Sequence, residues 1–339
     1  HTAQKTRDGA ASTSAVRRST KLVPPAQFGS PGKGPASLHE VSTLRAIRIA
    51  ARRMAPAYVI LTAVCFMLLW MGGAPVSDAM VLALSTLATG GFAPADGGVH
   101  AYRAPIVELT MFVFMLIAAA NFTFYWHILT GRARDARADG EGLSIVAAVG
   151  IGGLLLCFAP GGGGLEALWP NLFAAAGAVS TAGFGFEEGQ PPIGLMLGLS
   201  LVGGAAISTA GGLKWSRILL LLSRVRDEVW RLNHPRGVVG RGEELGGLTV
   251  WIYFAAFTLQ FVVGILVIAS FGHEFEIAAT AACAALSNTG PLLALVGEPG
   301  ADYDMFEPVV QGVLAAGMIV GRLGSIAALA LLSRAFWRI

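Results

Sequence analysis

Three short strings constrain this chain more than anything else in it: Ala88-Thr89-Gly90-Gly91-Phe92, Ser180-Thr181-Ala182-Gly183-Phe184 and Ser287-Asn288-Thr289-Gly290-Pro291. Each closes an apolar stretch too short to cross a bilayer, and each is followed by an acidic loop and then a full-length apolar span. A glycine- and hydroxyl-rich turn at membrane depth has no water for its carbonyls. It survives only where protein encloses it or where it lines a wet cavity. Three such turns in like settings predict a pore whose wall is built from repeated carbonyl turns.

The rest of the sequence has the composition of a membrane protein. Apolar residues make up 54 % and charged residues only 13 %, with a mean hydropathy of +0.64, outside the range of soluble domains. Several runs reach the roughly 20 residues that a spanning helix needs. The fold class expected is therefore an all-α polytopic membrane protein. A net charge of +3 without a basic stripe interleaved with aromatics gives nucleic-acid binding no support. Cys65, Cys157 and Cys283 lie far apart in apolar segments, with no CxxC pair or Cys/His cluster to suggest a metal. Residues 1–40 are polar and read as a cytoplasmic loop, and an opening at His1 reads as the interior of a longer protein.

The order span, half-span, glycine turn, span recurs three times, as one supersecondary unit repeated. Ala57–Trp70 crosses, with Pro56 at its start; Ala79–Leu87 leads into the first string, and a span from Ile106 to about Leu129 returns to Arg132, Arg134 and Arg137. Leu143–Phe158, Leu168–Val179 and Ile193–Leu222 make the second round, and Leu248–Phe271, Phe275–Leu286 and Val309–Leu332 the third. The boundaries expected are a polar linker at 1–55 and units at 56–137, 138–247 and 248–339. Lys and Arg crowd the loops between units, whereas Glu187, Glu188, Glu298, Asp302, Asp304 and Glu307 follow the strings. The positive-inside rule puts the Arg-rich loops in the cytoplasm and the acidic loops outside. Every unit then begins and ends on the same side, which requires each half-span to be re-entrant.

A cation entering such a pore exchanges hydration water for fixed oxygens, and carbonyls supply these without a full charge, so that the ion can also leave. Gly91, Gly183 and Gly290 permit backbone angles that turn carbonyls inward. Thr89, Thr181 and Thr289 are expected to add hydroxyl oxygens nearby, and each half-helix directs its negative end toward the ion. The span Ile193–Leu222 carries its own anomaly, since Gly203-Gly204 and Ser208-Thr209-Ala210-Gly211-Gly212 are poor helix formers near its middle. They mark either a local break or a kink around a neighbour. Lys214 follows directly. Arg322 lies among apolar residues, twelve positions before Arg334, about 18 Å along a helix. At that depth an arginine should face the bundle interior.

In combination these strings carry a resemblance. LSTLATGGFAP (84–94), FMLIAAANFTFYWHIL (114–129), AVSTAGFGF (178–186), VGGAAISTAGGLKWSRILLLL (202–222), Asn-His-Pro at 233–235, ALSNTGP (285–291) and GRL followed by LLSRAFWR (321–338) resemble the TrkH/KtrB/HKT superfamily of potassium transporters, and its bacterial TrkH branch most. The resemblance implies helix–pore-helix–filter-loop–helix units around a pseudo-fourfold ion pore, of which three of four are present here. It implies a K⁺ selectivity filter at Thr89, Gly90, Gly91, Thr181, Ala182, Gly183, Asn288, Thr289 and Gly290. It places a gate beneath the filter at Gly203, Gly204, Ser208, Thr209, Gly211, Gly212, Lys214 and Arg322.

The same resemblance implies K⁺ uptake across a bacterial inner membrane, alone or coupled to H⁺ or Na⁺. It further implies a homodimer in lipid and a separate cytoplasmic nucleotide-binding ring of the TrkA kind. K⁺ is cargo, and no bound cofactor is expected. The family usually has an acidic residue after Gly-Arg-Leu, where this chain has Gly324. No GxSxG, HExxH or Walker string occurs, so an enzyme is not expected. An intramembrane enzyme or a non-transporting scaffold stands as the alternative.

Overall fold

A computed structural model of the chain describes residues 36–94, 98–102, 104–122, 124–125, 141–185, 191–234, 244–296 and 302–324. The chain divides into two compact units, His1–Ala51 and Arg52–Ile339. Of the first, residues from Ala36 onward are described, and these are helical. Among the described residues there is no β-strand.

Among the described residues, three helices are long and apolar enough to cross a membrane. They lie within α1 (Ala36–Met71), α4 (Glu141–Phe158) and α8 (Glu244–Ser270), at Met54–Met71, Glu141–Phe158 and Val250–Ser270. Only 17 %, 33 % and 17 % of these segments are buried within the protein. Val59, Ile60 and Val64 of α1, Leu154 and Leu155 of α4, and Leu259, Val263 and Leu266 of α8 are all exposed. Apolar surface of that extent is costly in water and neutral in lipid, so these faces match a bilayer. The chain is a membrane protein by this measure. α1 does not start at Pro56, as the sequence reading expected. It begins at Ala36 and carries Pro56 inside, because the apolar and basic residues before the proline propagate a helix across the one backbone bond that proline removes.

Between the long helices stand three short ones: α2 (Val76–Ala88), α5 (Leu168–Val179) and α9 (Phe275–Ser287), of 13, 12 and 13 residues. At 1.5 Å per residue each extends about 20 Å, well short of a bilayer core. They are buried where the long helices are not. Every residue from Phe173 to Val179 of α5 and from Ala278 to Ser287 of α9 is buried. Both runs are almost entirely alanine, glycine, serine and cysteine, so neighbouring helices approach closely on all sides. A helix apolar all round belongs at the centre of a fold. α2 differs in burying Leu82, Ala83, Ser85, Thr86 and Leu87 while exposing Val76, Met80, Val81 and Leu84.

The return helices are shorter than the spans read from sequence. α3 (Pro105–Ala119) stops ten residues before Leu129. Ala120 is extended, at φ −78° and ψ 169°, and the Ala119 carbonyl accepts the N–H of Ala205 at 2.8 Å instead of continuing the helical ladder. The expected span Ile193–Leu222 is two helices, α6 (Ile193–Val202) and α7 (Trp215–Asn233), separated by an irregular loop. The five-residue α10 (Leu292–Val296) follows the third string. The third return, α11 (Pro308–Leu323), ends at Gly324 with φ 87°. The expected continuation to Leu332, Arg334 and Arg338 lies outside the described residues, as do Arg132, Arg134, Arg137, Glu187, Glu188 and Glu298.

Candidate functional site

Each half-helix ends by the same device. Thr89 directly after α2, Thr181 two residues past the end of α5, and Asn288 directly after α9 all adopt left-handed backbone, at φ 54°, 58° and 58°. Their N–H groups turn back to Thr86, Ala178 and Ala285 carbonyls, closing the helix end. Asparagine tolerates this conformation; threonine, branched at Cβ, is a true outlier there, at a cost of roughly 1–2 kcal/mol. Two residues further on, Gly91 and Gly183 are again left-handed, at φ 74° and 73°. Gly290 holds the same place in the third string without a left-handed φ.

The three strings meet. A Cβ added to Gly91 would collide with the carbonyl oxygen of Ala182 and stand 2.5 Å from Cδ of Pro291. One added to Gly183 would stand 2.8 Å from the same Pro291 Cδ and 3.1 Å from Thr289 Cγ2. The pyrrolidine ring of Pro291 thus sits between the first and second strings. Around Gly290 there is open space on the side where a Cβ would point, and its carbonyl accepts the Tyr303 hydroxyl at 2.8 Å. Burial, then the charge of Asp302, pushes the Tyr303 phenol up to about 12, so it remains a donor at physiological pH.

Beneath the strings runs the loop between α6 and α7. It starts with Gly203 at φ 68°, passes Gly212 at φ 76° and ends with Lys214 at φ 73°. Backbone bonds fix it in place: Ala205 N–H to Ala119, Leu213 N–H to Leu201 and Trp215 N–H to Gly204, at 2.8, 2.9 and 2.8 Å. Phe122 N–H reaches the Ile207 carbonyl at 2.8 Å. Lys214 Nζ donates to the carbonyls of Ser208, at 3.3 Å, and Ala210. Ser208 Oγ donates to the Ala205 carbonyl at 2.7 Å, and Thr209 Oγ1 to that of Ala118 at 3.2 Å. Gly211 lies so close under the third string that a Cβ would overlap the Ser287 carbonyl oxygen.

The loop is also tied upward. Thr89 Oγ1 donates to the Thr209 carbonyl at 3.0 Å, and Gly211 N–H donates to Thr181 Oγ1 at 2.7 Å. Thr289 Oγ1 lies 2.8 Å from Ser200 Oγ and 2.8 Å from Ser287 Oγ, in a fully buried triangle closed by Ser200–Ser287 at 2.9 Å. Arg322 Nη1 reaches the Thr209 carbonyl at 2.8 Å from the opposite side.

No protein-family model matches the chain. Two proteins named "Trk system potassium uptake protein TrkH", from Salmonella typhimurium and Vibrio parahaemolyticus, are 33 % and 32 % identical to it, over 83 % of this chain and 61 % of their own length. The crystal structure of the potassium transporter TrkH from Vibrio parahaemolyticus superimposes with a TM-score of 0.73 at 29 % identity, covering 91 % of this chain and 67 % of that one. This chain is a TrkH relative. It spans about 61 % of the length of the curated relatives it matches.

For a TrkH relative, the placement of the expected site residues is informative. Thr89, Gly90, Gly91, Thr181, Ala182, Gly183, Asn288, Thr289 and Gly290 come from three separate segments and gather in one place. Gly203, Gly204, Ser208, Thr209, Gly211, Gly212 and Lys214 form one loop directly against them. Arg322, exposed and one residue before the end of α11, directs its side chain onto that loop. The three threonine hydroxyls, expected to add oxygens nearby, are hydrogen-bonded within the protein: Thr89 Oγ1 to the Ala88 and Thr209 carbonyls, Thr181 Oγ1 to the Gly211 N–H, and Thr289 Oγ1 to Ser200 and Ser287.

Sequence reasoning missed Ser200, Ser287, Pro291, Tyr303 and Asn288's amide, which donates to the Met318 carbonyl at 3.2 Å. Ser200 alone left a signal, being the single hydroxyl in an otherwise apolar helix, three residues before Gly203.

Proposed function

We propose that this chain forms most of a potassium-selective path across a bacterial inner membrane, for the uptake of K⁺. The observation that carries the reading is the convergence of Gly91, Gly183 and the Thr289–Pro291 segment, at the ends of three half-helices, in a protein whose outer faces suit lipid. The relatives' names supply the ion. The three strings are the filter segments, with Gly91, Gly183 and Gly290 the glycine of each. The loop 203–214, with Lys214 and Arg322, is the gate beneath them. Arg-rich loops face the cytoplasm. As in the sequence reading, the assembly partners are a second copy of the protein and a cytoplasmic nucleotide-binding ring, and coupling to H⁺ or Na⁺ is one mode of the same transport.

The architecture under this reading is three of four units around one axis. The half-helix ends of α5 and α9 are enclosed, while α2 keeps Val76, Met80, Val81 and Leu84 exposed, the face that a further unit covers. The test is growth at low K⁺ of a bacterium lacking its own K⁺-uptake systems. Expression of the full-length protein as its host makes it restores growth, and Gly183→Asp abolishes that rescue. Failure of the well-expressed protein to rescue would overturn the proposal.

A further inference from the structure

We infer that Thr89, Thr181 and Thr289 are positioning residues that lock the loop 203–214 against the underside of the glycine strings, and do not act as ligands to the permeating ion. The inference rests on the transport reading above for its consequence, but its geometry stands apart from it. Each string commits its threonine hydroxyl to the same broken span. The first shares its proton between the Ala88 carbonyl of its own string, at 2.7 Å, and the Thr209 carbonyl in the loop, at 3.0 Å; the second accepts from Gly211 in the loop, and the third bonds Ser200 in the last turn of α6.

The backbone explains why the residue is threonine. The helix ends require left-handed backbone at Thr89 and Thr181, where asparagine or glycine is the ordinary choice, and Asn288 makes that choice in the third string. A β-branched residue in this conformation persists only where its surroundings over-determine it, and such strain gathers at functional switches. At both positions the polar group gained over glycine is the hydroxyl, and at both it contacts the loop. The third string, with asparagine at the strained position, shifts its hydroxyl one residue on and anchors to α6 instead. Ser287 Oγ also contacts the Cys283 carbonyl at 2.7 Å, so that triangle is fixed to α9 as well.

The consequence is mechanical. The loop cannot leave without breaking the Thr89–Thr209 and Thr181–Gly211 contacts, while Thr289–Ser200 holds the end of α6 from which the loop departs. Each is a single hydrogen bond between protein groups, so losing one shifts the opening equilibrium by about 2- to 10-fold.

The test uses the full-length protein in lipid nanodiscs, with Thr89→Val and Thr181→Val, which keep shape and branching but remove the hydroxyl, and Thr89→Ser and Thr181→Ser, which keep it. Amide hydrogen exchange of the 203–214 segment is the direct readout. The valine variants raise it about 2- to 10-fold, and the serine variants match the parent. In proteoliposomes the valine variants pass K⁺ faster while the K⁺-to-Na⁺ ratio is unchanged. Unchanged loop exchange in the valine variants, serine variants that behave as valine does, or an altered ion ratio with an unaltered loop would each overturn the linkage. If the parent itself passes no K⁺, the transport reading fails while the exchange result still decides the linkage.

Discussion

Arg322 and Thr209 are 113 residues apart in sequence, yet the guanidinium of the first donates to the carbonyl of the second at 2.8 Å. That carbonyl already accepts the Thr89 hydroxyl from above. One backbone oxygen in the loop therefore joins the first glycine string to the end of α11.

Removing the guanidinium releases the loop from below. A hydrogen bond to a charged group contributes about 1.5–3 kcal/mol when enclosed, and the exposure of Arg322 places it at or under the lower end of that range. Arg322→Ala is expected to raise K⁺ flux in proteoliposomes by roughly tenfold, the equivalent of about 1.4 kcal/mol. Arg322→Lys, which keeps a charge but not the reach of the fork, falls between the two. An unchanged rate in Arg322→Ala removes the residue from the gate.

The three string glycines are not equivalent. Gly91→Ala and Gly183→Ala each impose left-handed strain of roughly 1 kcal/mol and a collision with Pro291 or the Ala182 carbonyl. Gly290→Ala meets open space and no left-handed φ. The first two variants are expected to lose K⁺-over-Na⁺ discrimination or to unfold at lower temperature, with Gly290→Ala close to the parent in stability. Thermal unfolding in detergent, alongside paired K⁺ and Na⁺ flux, separates the cases. Equal losses at all three positions would contradict the asymmetry.

Tyr303→Phe removes the donor to the Gly290 carbonyl and leaves the ring in place. The free carbonyl is expected to alter the K⁺-to-Rb⁺ preference without a large change in folding. Because the Tyr303 phenol is held up at about 12 against an ordinary value near 10, its contribution is fully present below pH 10 and is lost as pH rises from 10 toward 12. Between pH 6 and 9 the parent protein should show no pH dependence traceable to this residue, and the difference between parent and Tyr303→Phe should stay constant across that range.

The exposed stripe on α2 separates a covered face from a lipid-facing one. Under the proposed four-unit arrangement a further unit would pack there, so Leu84→Trp in the full-length protein is expected to abolish rescue of growth at low K⁺. Val59→Trp, on the outer face of α1, is expected to be tolerated. If both are tolerated, the α2 stripe faces lipid and the fourth wall lies elsewhere.

Hydropathy places two of the three half-helices almost residue for residue: Leu168–Val179 matches α5 and Phe275–Leu286 differs from α9 by one residue, whereas Ala79–Leu87 misses the first three residues and the last residue of α2. Those ends are local, set by where apolar residues give way to a left-handed turn. The break after Val202 was legible for the same reason, through its glycines. The end of α3 was not, since Ala118, Ala119 and Ala120 are good helix formers, and what stops them is a hydrogen bond from Ala205, distant in sequence. Residue type alone points the threonine hydroxyls at the ion, and only tertiary geometry shows that each also contacts α6 or its loop. Pro56 misled because a proline permitted at a helix start is also tolerated inside a long helix.

The most direct test of the whole account is the ion preference of the full-length protein in proteoliposomes, measured as K⁺ and Na⁺ uptake under equal gradients, for the parent and for Gly183→Ser. The account predicts K⁺ uptake well above Na⁺ uptake in the parent and convergence of the two in Gly183→Ser. Equal K⁺ and Na⁺ uptake in the parent, or an unaltered ratio in Gly183→Ser, would contradict it.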